Sequence, residues 1–357
     1  LPISLKDALK FIEKEHASAI EAEGPLEVLS TGSLAVDIIT GRGGFPRGKL
    51  SEVFGWEYSG KTTLCVSACA EAQRRGLYVA YVDAEKGLDL RYASKLGFIH
   101  DDRNKGLYLT PDTFEDTVVI VDKLVASGEV PLVVVDSVPG MVPKATFEGE
   151  ISETGAIGAT ARLLSSVLPR LTKTIAENNT ALVLVNQMRM KVSTGWQPAF
   201  VSRDQKEESS GGSALKFYSS LRVDMAIVKK GSVKTRTTDF FTGKDIEVSM
   251  ANVHQAKIIK NKISSPYRSC QFTIRYDEDR GLYGIDNVAT LLGIAVVQGL
   301  IKRTGAHYKC TLPDGQEFNS HGEDALFDFV LAHPKIKAAL WAEVQKIPGV
   351  TTALREV

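Results

Sequence analysis

The segment from Gly55 to Thr62 reads Gly-Trp-Glu-Tyr-Ser-Gly-Lys-Thr, which has the spacing of a phosphate-binding loop. An apolar run precedes this segment and a helical pattern follows it. In such a loop the glycines let backbone N–H groups point inward at an anion, and the first turn of the helix adds its positive end. Lys61 is predicted to neutralise charge between the β and γ phosphates of a nucleotide, and the Thr62 hydroxyl to ligate Mg²⁺. The flanking elements make a chance glycine turn the weaker interpretation.

Three other apolar runs end in the polar side chains of Glu85, Asp136 and Gln187. The carboxyl ends of parallel strands meet at one edge of a sheet, so these side chains are predicted to lie beside the phosphate-binding loop. Asp136 is the candidate on the metal side. Glu85 either holds a water molecule in line with the γ phosphate or is a solvated acid at a strand end. Gln187 either bonds a γ-phosphate oxygen and passes the nucleotide state to the following segment, or caps a strand end.

The elements that must position these residues follow an α/β pattern. Short apolar runs typical of strands buried on both faces alternate with stretches typical of crossover helices. The predicted strands cover residues 50–54, 77–82, 132–136 and 181–186. The predicted helices cover residues 61–75, 113–126 and 158–177. The sequence therefore predicts a domain with a largely parallel central sheet.

Two segments interrupt this alternation. Residues 189–212 are polar and have no sustained period. A loop of that length inside a compact domain is usually functional or disordered, so we expect it to be mobile without ligand. Residues 229–249 have Thr, Val and Phe on both sides of a Thr-Gly-Lys-Asp sequence, which predicts an antiparallel hairpin.

The two ends of the chain carry further elements. Apolar residues recur at helical spacing in residues 4–20, and Ser4 with Asp7 forms a capping pair, which predicts an amphipathic helix followed by a polar linker. Beyond residue 276 the pattern becomes mostly helical. The helical stretches cover residues 287–300, 323–332 and 335–345, and a strand-like piece covers residues 307–312. This last part is predicted to form a separate small α+β domain.

Composition excludes several classes of protein. The 357 residues suffice for roughly two domains, and 43 Lys or Arg balance 43 Asp or Glu, so any nucleic-acid contact must come from a local patch. The first twenty residues lack an apolar leader core, and no stretch approaches the ~18 apolar residues of a membrane span, so we expect a cytoplasmic protein without a membrane partner. Cys65 and Cys69 form no Cys-x-x-Cys pair, which favours two core residues over redox chemistry.

With these residues assembled, the chain resembles the RecA-type DNA strand-exchange recombinases of the bacterial and phage branch, from the first helix to about residue 348. Besides the phosphate-binding loop, the most specific stretches are Ser-Thr-Gly-Ser-Leu at 30–34, Gly-Gly-Phe-Pro-Arg-Gly at 43–48, Asp-Ala-Glu at 83–85, Val-Asp-Ser-Val at 135–138, Glu-Gly-Glu-Ile at 148–151, Asn-Gln-Met-Arg-Met-Lys at 186–191, Gly-Gly-Ser-Ala-Leu-Lys-Phe-Tyr at 211–218 and Lys-Asn-Lys-Ile at 260–263. Trp56 and Tyr58 depart from the family, which usually has proline and a small residue there.

The resemblance implies an α/β fold with a RecA-like P-loop NTPase core and a mainly parallel central sheet. The core is expected over residues 34–276, with two DNA-binding loops at 148–158 and 188–212. Residues 1–33 are expected to form an N-terminal helix and linker for subunit packing. Residues 277–357 are expected to form the small α+β domain.

For the nucleotide, the resemblance implies that Glu85 is the catalytic glutamate and that Gln187 links ATP to DNA. Asp89 and Tyr92 match positions that contact adenine, with the Tyr92 ring stacked on the base. Thr62 and, through water, Asp136 are expected to hold Mg²⁺. The residues expected to bind the cofactor ATP are Gly55, Glu57, Ser59, Gly60, Lys61, Thr62, Thr63, Asp89, Tyr92 and Asp136.

At the subunit interface, the resemblance implies that Lys260 and Lys262 reach the phosphates of the neighbour's ATP. Lys216 and Phe217 are expected in the same interface. Without the resemblance, Lys260 and Lys262 would be interpreted as two solvated lysines on a strand. If the two lysines do reach the neighbour's ATP, filament formation and nucleotide binding are one equilibrium.

For DNA, the family's contact positions match Ile157, Arg162, Met188, Arg189, Lys191, Phe200, Gly211 and Gly212. Ile157 either wedges between base triplets or starts the following helix. Trp196, Arg203 and Lys206 are further candidates in the second loop. Basic and apolar groups of this kind bind single strands without reading sequence. Residues 229–262 carry eight Lys or Arg and three Asp or Glu, either as a patch that gathers duplex DNA or as a solvated hairpin.

The function implied is an ATP-dependent recombinase that forms helical filaments on single-stranded DNA and exchanges strands with homologous duplex DNA. DNA is expected to stimulate hydrolysis of ATP to ADP and phosphate. Loading mediators and a single-stranded-DNA-binding protein are further expected partners, in DNA repair and the response to DNA damage. Two alternatives stay open. A ring-forming RecA-fold helicase would carry an arginine finger in place of the paired lysines, and an ATP-gated filament without catalysis would not need Lys61, Glu85 and Asp136.

Overall fold

The computed structural model describes residues 26–149, 153–190, 207–209, 212–238, 245–278, 280–311 and 317–346, together with residues 4, 6, 10, 11 and 14. Within the expected N-terminal helix, Lys6, Lys10, Phe11 and Lys14 are helical. The rest of that helix and its linker lie outside the described residues. None of the described helices is both long and apolar enough to cross a lipid bilayer.

The described chain alternates strands and helices up to the centre of the sequence. Its first part contains β1 (Val28–Leu29), α1 (Leu34–Thr40), β2 (Phe45–Pro46), β3 (Leu50–Gly55), α2 (Lys61–Arg74), β4 (Val79–Asp83), α3 (Leu90–Lys95), β5 (Gly106–Leu109), α4 (Phe114–Ala126) and β6 (Leu132–Asp136). There follow α5 (Lys144–Phe147), α6 (Glu153–Glu177), β7 (Ala181–Met190), β8 (Glu207–Ser209) and α7 (Gly212–Tyr218).

The remaining elements begin with two long strands. They are β9 (Leu221–Thr238), β10 (Asp245–Asn261), β11 (Ser269–Asp277), β12 (Leu282–Ile285), α8 (Asn287–Val297), β13 (Ile301–Thr304), β14 (His307–Thr311), β15 (Glu317–His321), α9 (Glu323–Ala332) and α10 (Pro334–Gln345). The predicted strands and helices of the core are confirmed, with ends that differ by a few residues.

The central sheet has the order β12-β11-β10-β9-β3-β7-β6-β4-β5, with β8 paired to β7. The pairings from β9 to β5 are parallel, and those from β9 to β12 are antiparallel. The mainly parallel sheet is therefore confirmed. The antiparallel β9–β10 pair runs from Thr238 opposite Asp245 to Leu221 opposite Asn261, with three shifts of register along it. It confirms the predicted hairpin and extends it into the sheet.

The parallel strands are buried because helices cover both faces of the sheet. In β6, Leu132 and Val134 join the apolar cluster that contains α2, whereas Val133 and Val135 join the cluster that contains α4 and α6. This division explains why the strand reads as a continuous apolar run instead of alternating. Cys65 and Cys69 of α2 are fully buried in the first cluster, which agrees with their interpretation as core residues.

A third apolar cluster belongs to the C-terminal part, where β13, β14 and β15 form an antiparallel sheet against α8, α9 and α10. The expected boundary of the core after residue 276 is too early. β11 runs to Asp277, and the next strand, β12, pairs with it in the central sheet. Asp286 caps α8, the first helix of the C-terminal part. The hairpin that joins β11 to β12 holds these residues in the core.

A buried ion pair crosses the middle of the sheet. Glu52 on β3 is fully buried, and one of its carboxylate oxygens accepts a hydrogen bond from Arg222 Nε on β9 at 2.5 Å. The other oxygen accepts from Asn186 Nδ2 on β7 at 2.8 Å. The Arg222 guanidinium lies 4.5 Å from the centre of the Phe54 ring. These contacts tie together the strand before the phosphate-binding loop and its two neighbours.

Replacing Arg222 by Met is expected to destabilise the protein by about 3 kcal/mol, because a buried carboxylate loses its charged partner. Arg74→Ala is the matched control, since it removes an exposed pair with Glu71 and should cost under about 1 kcal/mol. Chemical denaturation followed by circular dichroism measures both. Equal denaturation midpoints for the two variants would contradict the stabilising role of the buried pair.

Candidate active site

The phosphate-binding loop connects the end of β3 to the start of α2 in the expected place. Tyr58 and Gly60 adopt left-handed backbone conformations with φ of 58° and 88°, and Lys61 begins the helix. The Lys61 ammonium donates to the Trp56 carbonyl at 2.8 Å and lies 3.4 Å from Ser59 Oγ. Burial lowers the pKa of Lys61, and the nearby Asp136 carboxylate opposes that shift. A cation folded over the loop in this way can exchange its neutral partners for phosphate oxygens.

Asp136 lies at the end of β6, beside the first turn of α2. Its Oδ2 accepts hydrogen bonds from Thr62 Oγ1 at 2.7 Å and from the Tyr81 hydroxyl at 2.6 Å. The side chain is buried, and burial raises the pKa of the Asp136 carboxyl. A hydroxyl and a carboxylate next to a phosphate site fit Mg²⁺, which takes oxygen ligands and shares them with substrate phosphates. The structure thus brings the two predicted metal residues into contact.

Glu85 and Gln187 meet although 102 positions separate them. The Gln187 side-chain amide donates to Glu85 Oε1 at 2.8 Å, and the Ser137 hydroxyl also donates to that oxygen. This contact arises because β4 and β7 flank β6 in the sheet and end at the same edge. The peptide bond between Asp136 and Ser137 is cis. A carboxylate, an amide and a hydroxyl therefore converge next to the phosphate-binding loop.

Asp83 holds the turn that carries Glu85. Its carboxylate accepts from the Glu85 backbone N–H at 3.1 Å, from the Leu88 N–H at 3.0 Å and from the Tyr108 hydroxyl at 2.9 Å. Burial, together with the neighbouring Asp83 carboxylate, raises the pKa of Tyr108 to about 12. Asp83 is buried, so its contacts are those of a support for the turn that carries Glu85.

The two residues expected to contact adenine, Asp89 and Tyr92, lie at the start of α3. The Tyr92 hydroxyl lies 3.3 Å from Thr63 Oγ1, which places the ring beside the first turn of α2. Asp89 caps α3, where its carboxylate accepts from the Arg91 and Tyr92 backbone N–H groups. Glu57 is exposed on the phosphate-binding loop. Tyr92 is thus brought to the candidate site, and Asp89 lies three residues before it as the cap of the same helix; the adenine contacts of both stay a prediction.

The residues expected at a subunit interface lie together on a different part of the surface. The Lys260 ammonium donates to the carbonyls of Lys216 at 2.7 Å and Phe217 at 2.9 Å, at the end of α7. Burial lowers the pKa of Lys260, and the positive charges of Lys262 and Arg222 lower it further. Phe217 is 73% exposed, which is unusual for a large apolar side chain, and Lys262 is exposed. An exposed phenyl group next to two lysines is a surface that a second protein chain could cover.

The first expected DNA loop is shorter than predicted. Helix α6 begins at Glu153, so residues 153–158 are helical, not loop, and Ile157 lies in the first turns of the helix. Of the two interpretations of Ile157, the helical one describes its backbone. Arg162 is exposed on the same helix, and its Nε donates to the Gly158 carbonyl at 3.1 Å. The helix extends because the Glu-Thr-Gly-Ala stretch contains no strong breaker besides one glycine.

The base of the second expected DNA loop is a pair of strands. Strand β7 continues past Gln187 to Met190, and β8 pairs with it antiparallel, with Met188 opposite Ser209 and Arg189 opposite Glu208. Gly212 begins α7. The outer positions expected to contact DNA, which are Lys191, Trp196, Phe200, Arg203, Lys206 and Gly211, lie outside the described residues. Residues 189–190 and 207–209 are thus strand, where a loop was expected.

Several site residues were missed by sequence reasoning. Tyr81 sits inside an apolar run and gave no sign that its hydroxyl would reach Asp136. Ser137 does give a signal in the sequence, because it is a polar residue directly after Asp136 at the end of the same apolar run. Glu52 gave the clearest signal, because a charged residue within a buried strand requires a partner.

Comparison with known proteins identifies the family of this chain. Residues 4–281 match the RecA N-terminal domain family. The chain is 39% identical over 325 residues to Protein RecA of Gluconacetobacter polyoxogenes, covering 91% of this chain and 84% of the relative. It is 37% identical over 353 residues to Protein RecA of Paracoccus denitrificans, covering 97% and 90%. It is 38% identical over 331 residues to Protein RecA of Syntrophus aciditrophicus, covering 93% and 87%. The chain therefore belongs to the RecA family of DNA recombinases.

Proposed function

We propose that this RecA-family chain hydrolyses ATP at the loop Gly55–Thr62 and uses nucleotide binding to control a filament on single-stranded DNA. The observation that carries the proposal is the contact of Glu85 with Gln187 beside the Thr62–Asp136 pair. Together with the phosphate-binding loop, these residues bring a phosphate cradle, a metal-side carboxylate and a candidate base into one place. Members of the RecA family are DNA-dependent ATPases, and this site is where that activity fits the chain.

In the proposed reaction, Lys61 leaves the Trp56 carbonyl and binds the β and γ phosphates. Thr62 and Asp136 would hold Mg²⁺, which neutralises charge that develops on the phosphate oxygens. Glu85 orients the attacking water in line with the bond that breaks and accepts a proton from that water. The Ser137 hydroxyl fixes the carboxylate while it does so, and the Gln187 amide holds it until the γ phosphate binds. Products are ADP and phosphate.

Gln187 also offers a route from the nucleotide to DNA. It lies on β7, which runs without interruption to Met190 at the base of the second expected DNA loop. A γ phosphate that draws the Gln187 amide away from Glu85 would move the strand segment that begins this loop. We propose that this movement sets the position of the residues that contact DNA. These residues are Ile157, Arg162, Met188, Arg189, Lys191, Phe200, Gly211 and Gly212. Single-stranded DNA would lie on these residues, and a homologous duplex would be tested by base pairing.

Lys260 and Lys262 are proposed to complete the ATP site of a neighbouring copy. A contact between two different surfaces of identical chains generates a helix when the rotation does not close, which fits a filament. Lys216 and Phe217 lie against Lys260, so one surface would contain both the cations and an exposed aromatic anchor. Loading mediators and a single-stranded-DNA-binding protein remain proposed partners of that filament.

The test of the proposed function combines activity with assembly. The purified protein should exchange strands between a labelled single strand and a homologous duplex in the presence of ATP and Mg²⁺. Electron microscopy with single-stranded DNA and a slowly hydrolysed ATP analogue should show helical filaments. Closed rings would support the helicase alternative, and filaments without any ATP hydrolysis would support the non-catalytic one. Either result would contradict the proposal.

Gly140→Ala is expected to lower the rate of ATP hydrolysis by about tenfold to a hundredfold, because misplacing a catalytic group by about 1 Å has effects of that size. A Cβ at Gly140 would lie 2.8 Å from Glu85 Cγ and 2.9 Å from the Ala84 backbone. Gly87→Ala is the matched control, since a Cβ at Gly87 meets nothing within 4 Å. Steady-state kinetics should show a lower kcat with little change in KM for Gly140→Ala alone. Equal kcat values for both variants would contradict a tight fit around Glu85.

A further inference from the structure

His254 packs against the backbone of the phosphate-binding loop. It is on β10, between Ile227 of β9 and Phe272 of β11, and its side chain is fully buried. Its Nδ1 is 3.0 Å from the carbonyl oxygen of Ser59. The histidine is therefore in direct contact with the loop backbone, from a strand far away in the sequence.

The contact determines which nitrogen carries the proton. A carbonyl oxygen only accepts hydrogen bonds, so Nδ1 of His254 must be the donor. Among the described residues, the other ring nitrogen, Nε2, is buried and has no hydrogen-bond partner. Burial lowers the pKa of His254, which keeps the ring neutral. A neutral ring with the proton on Nδ1 satisfies the Ser59 carbonyl and leaves Nε2 unprotonated.

The loop rests closely on this histidine. A Cβ added at Gly60 would lie 3.2 Å from His254 Nδ1 and 2.7 Å from Ile274 Cδ1. Ser59 is itself 1% exposed, so water has almost no access to its carbonyl. Without the histidine N–H, the Ser59 carbonyl would be a buried acceptor without its donor, which is unfavourable.

We propose that His254 is a positioning residue for nucleotide binding, because it fixes the orientation of the Ser59–Gly60 peptide. The carbonyl of Ser59 and the N–H of Gly60 belong to the same planar trans unit and point in opposite directions. Holding the carbonyl down on His254 therefore points the Gly60 N–H up, toward the phosphates. Loss of the histidine donor would let this peptide rotate to find another partner, and the anion would lose one aligned N–H group. This inference rests on the proposed ATP site.

The test uses three variants of the full chain that differ in where they place a donor. In Asn the amide nitrogen is two bonds from Cβ, as Nδ1 is in histidine, whereas in Gln it is three bonds away, as Nε2 is. His254→Asn can thus donate to the Ser59 carbonyl, His254→Gln places its donor one atom farther out, and His254→Phe has no donor. Titration of each protein with ADP and Mg²⁺, without DNA, gives Kd, and thermal unfolding without nucleotide gives Tm.

We expect His254→Asn to bind ADP within about threefold of the wild type, and His254→Gln and His254→Phe to bind at least about tenfold more weakly, as loss of one aligned hydrogen bond implies. The order of the three Kd values should differ from the order of the three Tm values. All three variants disturb the same buried site and so change Tm, but only the position of the donor should change Kd. Equal Kd values for Asn and Gln variants would overturn the proposal, and this comparison stands even if His254→Phe fails to fold. If the wild type itself does not bind ADP, the proposed ATP site is wrong. If the wild type binds and all variants match it, only the role of His254 is wrong.

Discussion

Replacing Glu85 by Gln is expected to lower DNA-stimulated ATP hydrolysis by at least about a hundredfold, which is the usual contribution of a general base. Gln has the same size and retains an oxygen that can accept from Ser137 and from Gln187, so the site geometry should persist. Only the capacity to take a proton is removed. Phosphate release in the presence of single-stranded DNA measures the loss.

Assembly should survive this substitution, because binding of ATP and not its hydrolysis is proposed to join the subunits. Light scattering with ATP and single-stranded DNA should report filaments of Glu85→Gln that persist longer than those of the wild type. Asp112→Asn is the matched control, since it removes an exposed carboxylate near the same sheet edge, paired with Lys86. A Glu85→Gln protein that hydrolyses ATP at the full rate would refute the assignment of Glu85.

Lys260→Ala is expected to weaken ATP hydrolysis and filament assembly together, with loss of the cooperative dependence on ATP concentration. The reason is that one cation would serve two purposes, stabilising the phosphates of the neighbour and joining the two chains. Hydrolysis rates measured over a range of ATP and protein concentrations, with sedimentation of the filament, test this directly. We expect a decrease of at least about tenfold, in line with the loss of a charged contact to a phosphate.

Lys260 also bonds the end of α7, so a purely structural effect must be separated from the proposed one. Lys257→Ala is the matched control, because Lys257 is an exposed lysine on the same strand, three positions before Lys260. A structural role would lower Tm of the Lys260→Ala protein in the absence of nucleotide and leave cooperativity intact. Normal cooperativity in Lys260→Ala would remove the claim that this lysine acts across the interface.

The features predicted well from the sequence are those that a short stretch of chain determines. The phosphate-binding loop and the strand ends at Asp136, Glu85 and Gln187 follow from local patterns, and parallel topology then brings the ends together. The antiparallel hairpin and the small C-terminal domain follow from local patterns as well. A strand buried on both faces is a continuous apolar run, which can be recognised without knowing which strands and helices lie next to it.

The features missed depend on contacts between distant residues. No local pattern indicates that Tyr81 reaches Asp136, that Arg222 neutralises Glu52, or that His254 holds the Ser59 carbonyl. The start of α6 at Glu153 was missed because an amphipathic period cannot be distinguished from a glycine-containing loop over so few residues. The core boundary was placed too early because the pairing of β12 with β11 is a tertiary contact.

The most direct test of the shared active site is to mix the Glu85→Gln and Lys260→Ala proteins, each of which should be nearly inactive alone. A shared site is intact when its Glu85 comes from a Lys260→Ala copy and its Lys260 comes from a Glu85→Gln copy. In a random equal mixture each condition holds for half of the interfaces, so about a quarter of the interfaces are fully intact. The account predicts recovery of about a quarter of the wild-type rate of ATP hydrolysis in an equal mixture on single-stranded DNA. A mixture no more active than its components, although electron microscopy shows mixed filaments, would contradict it.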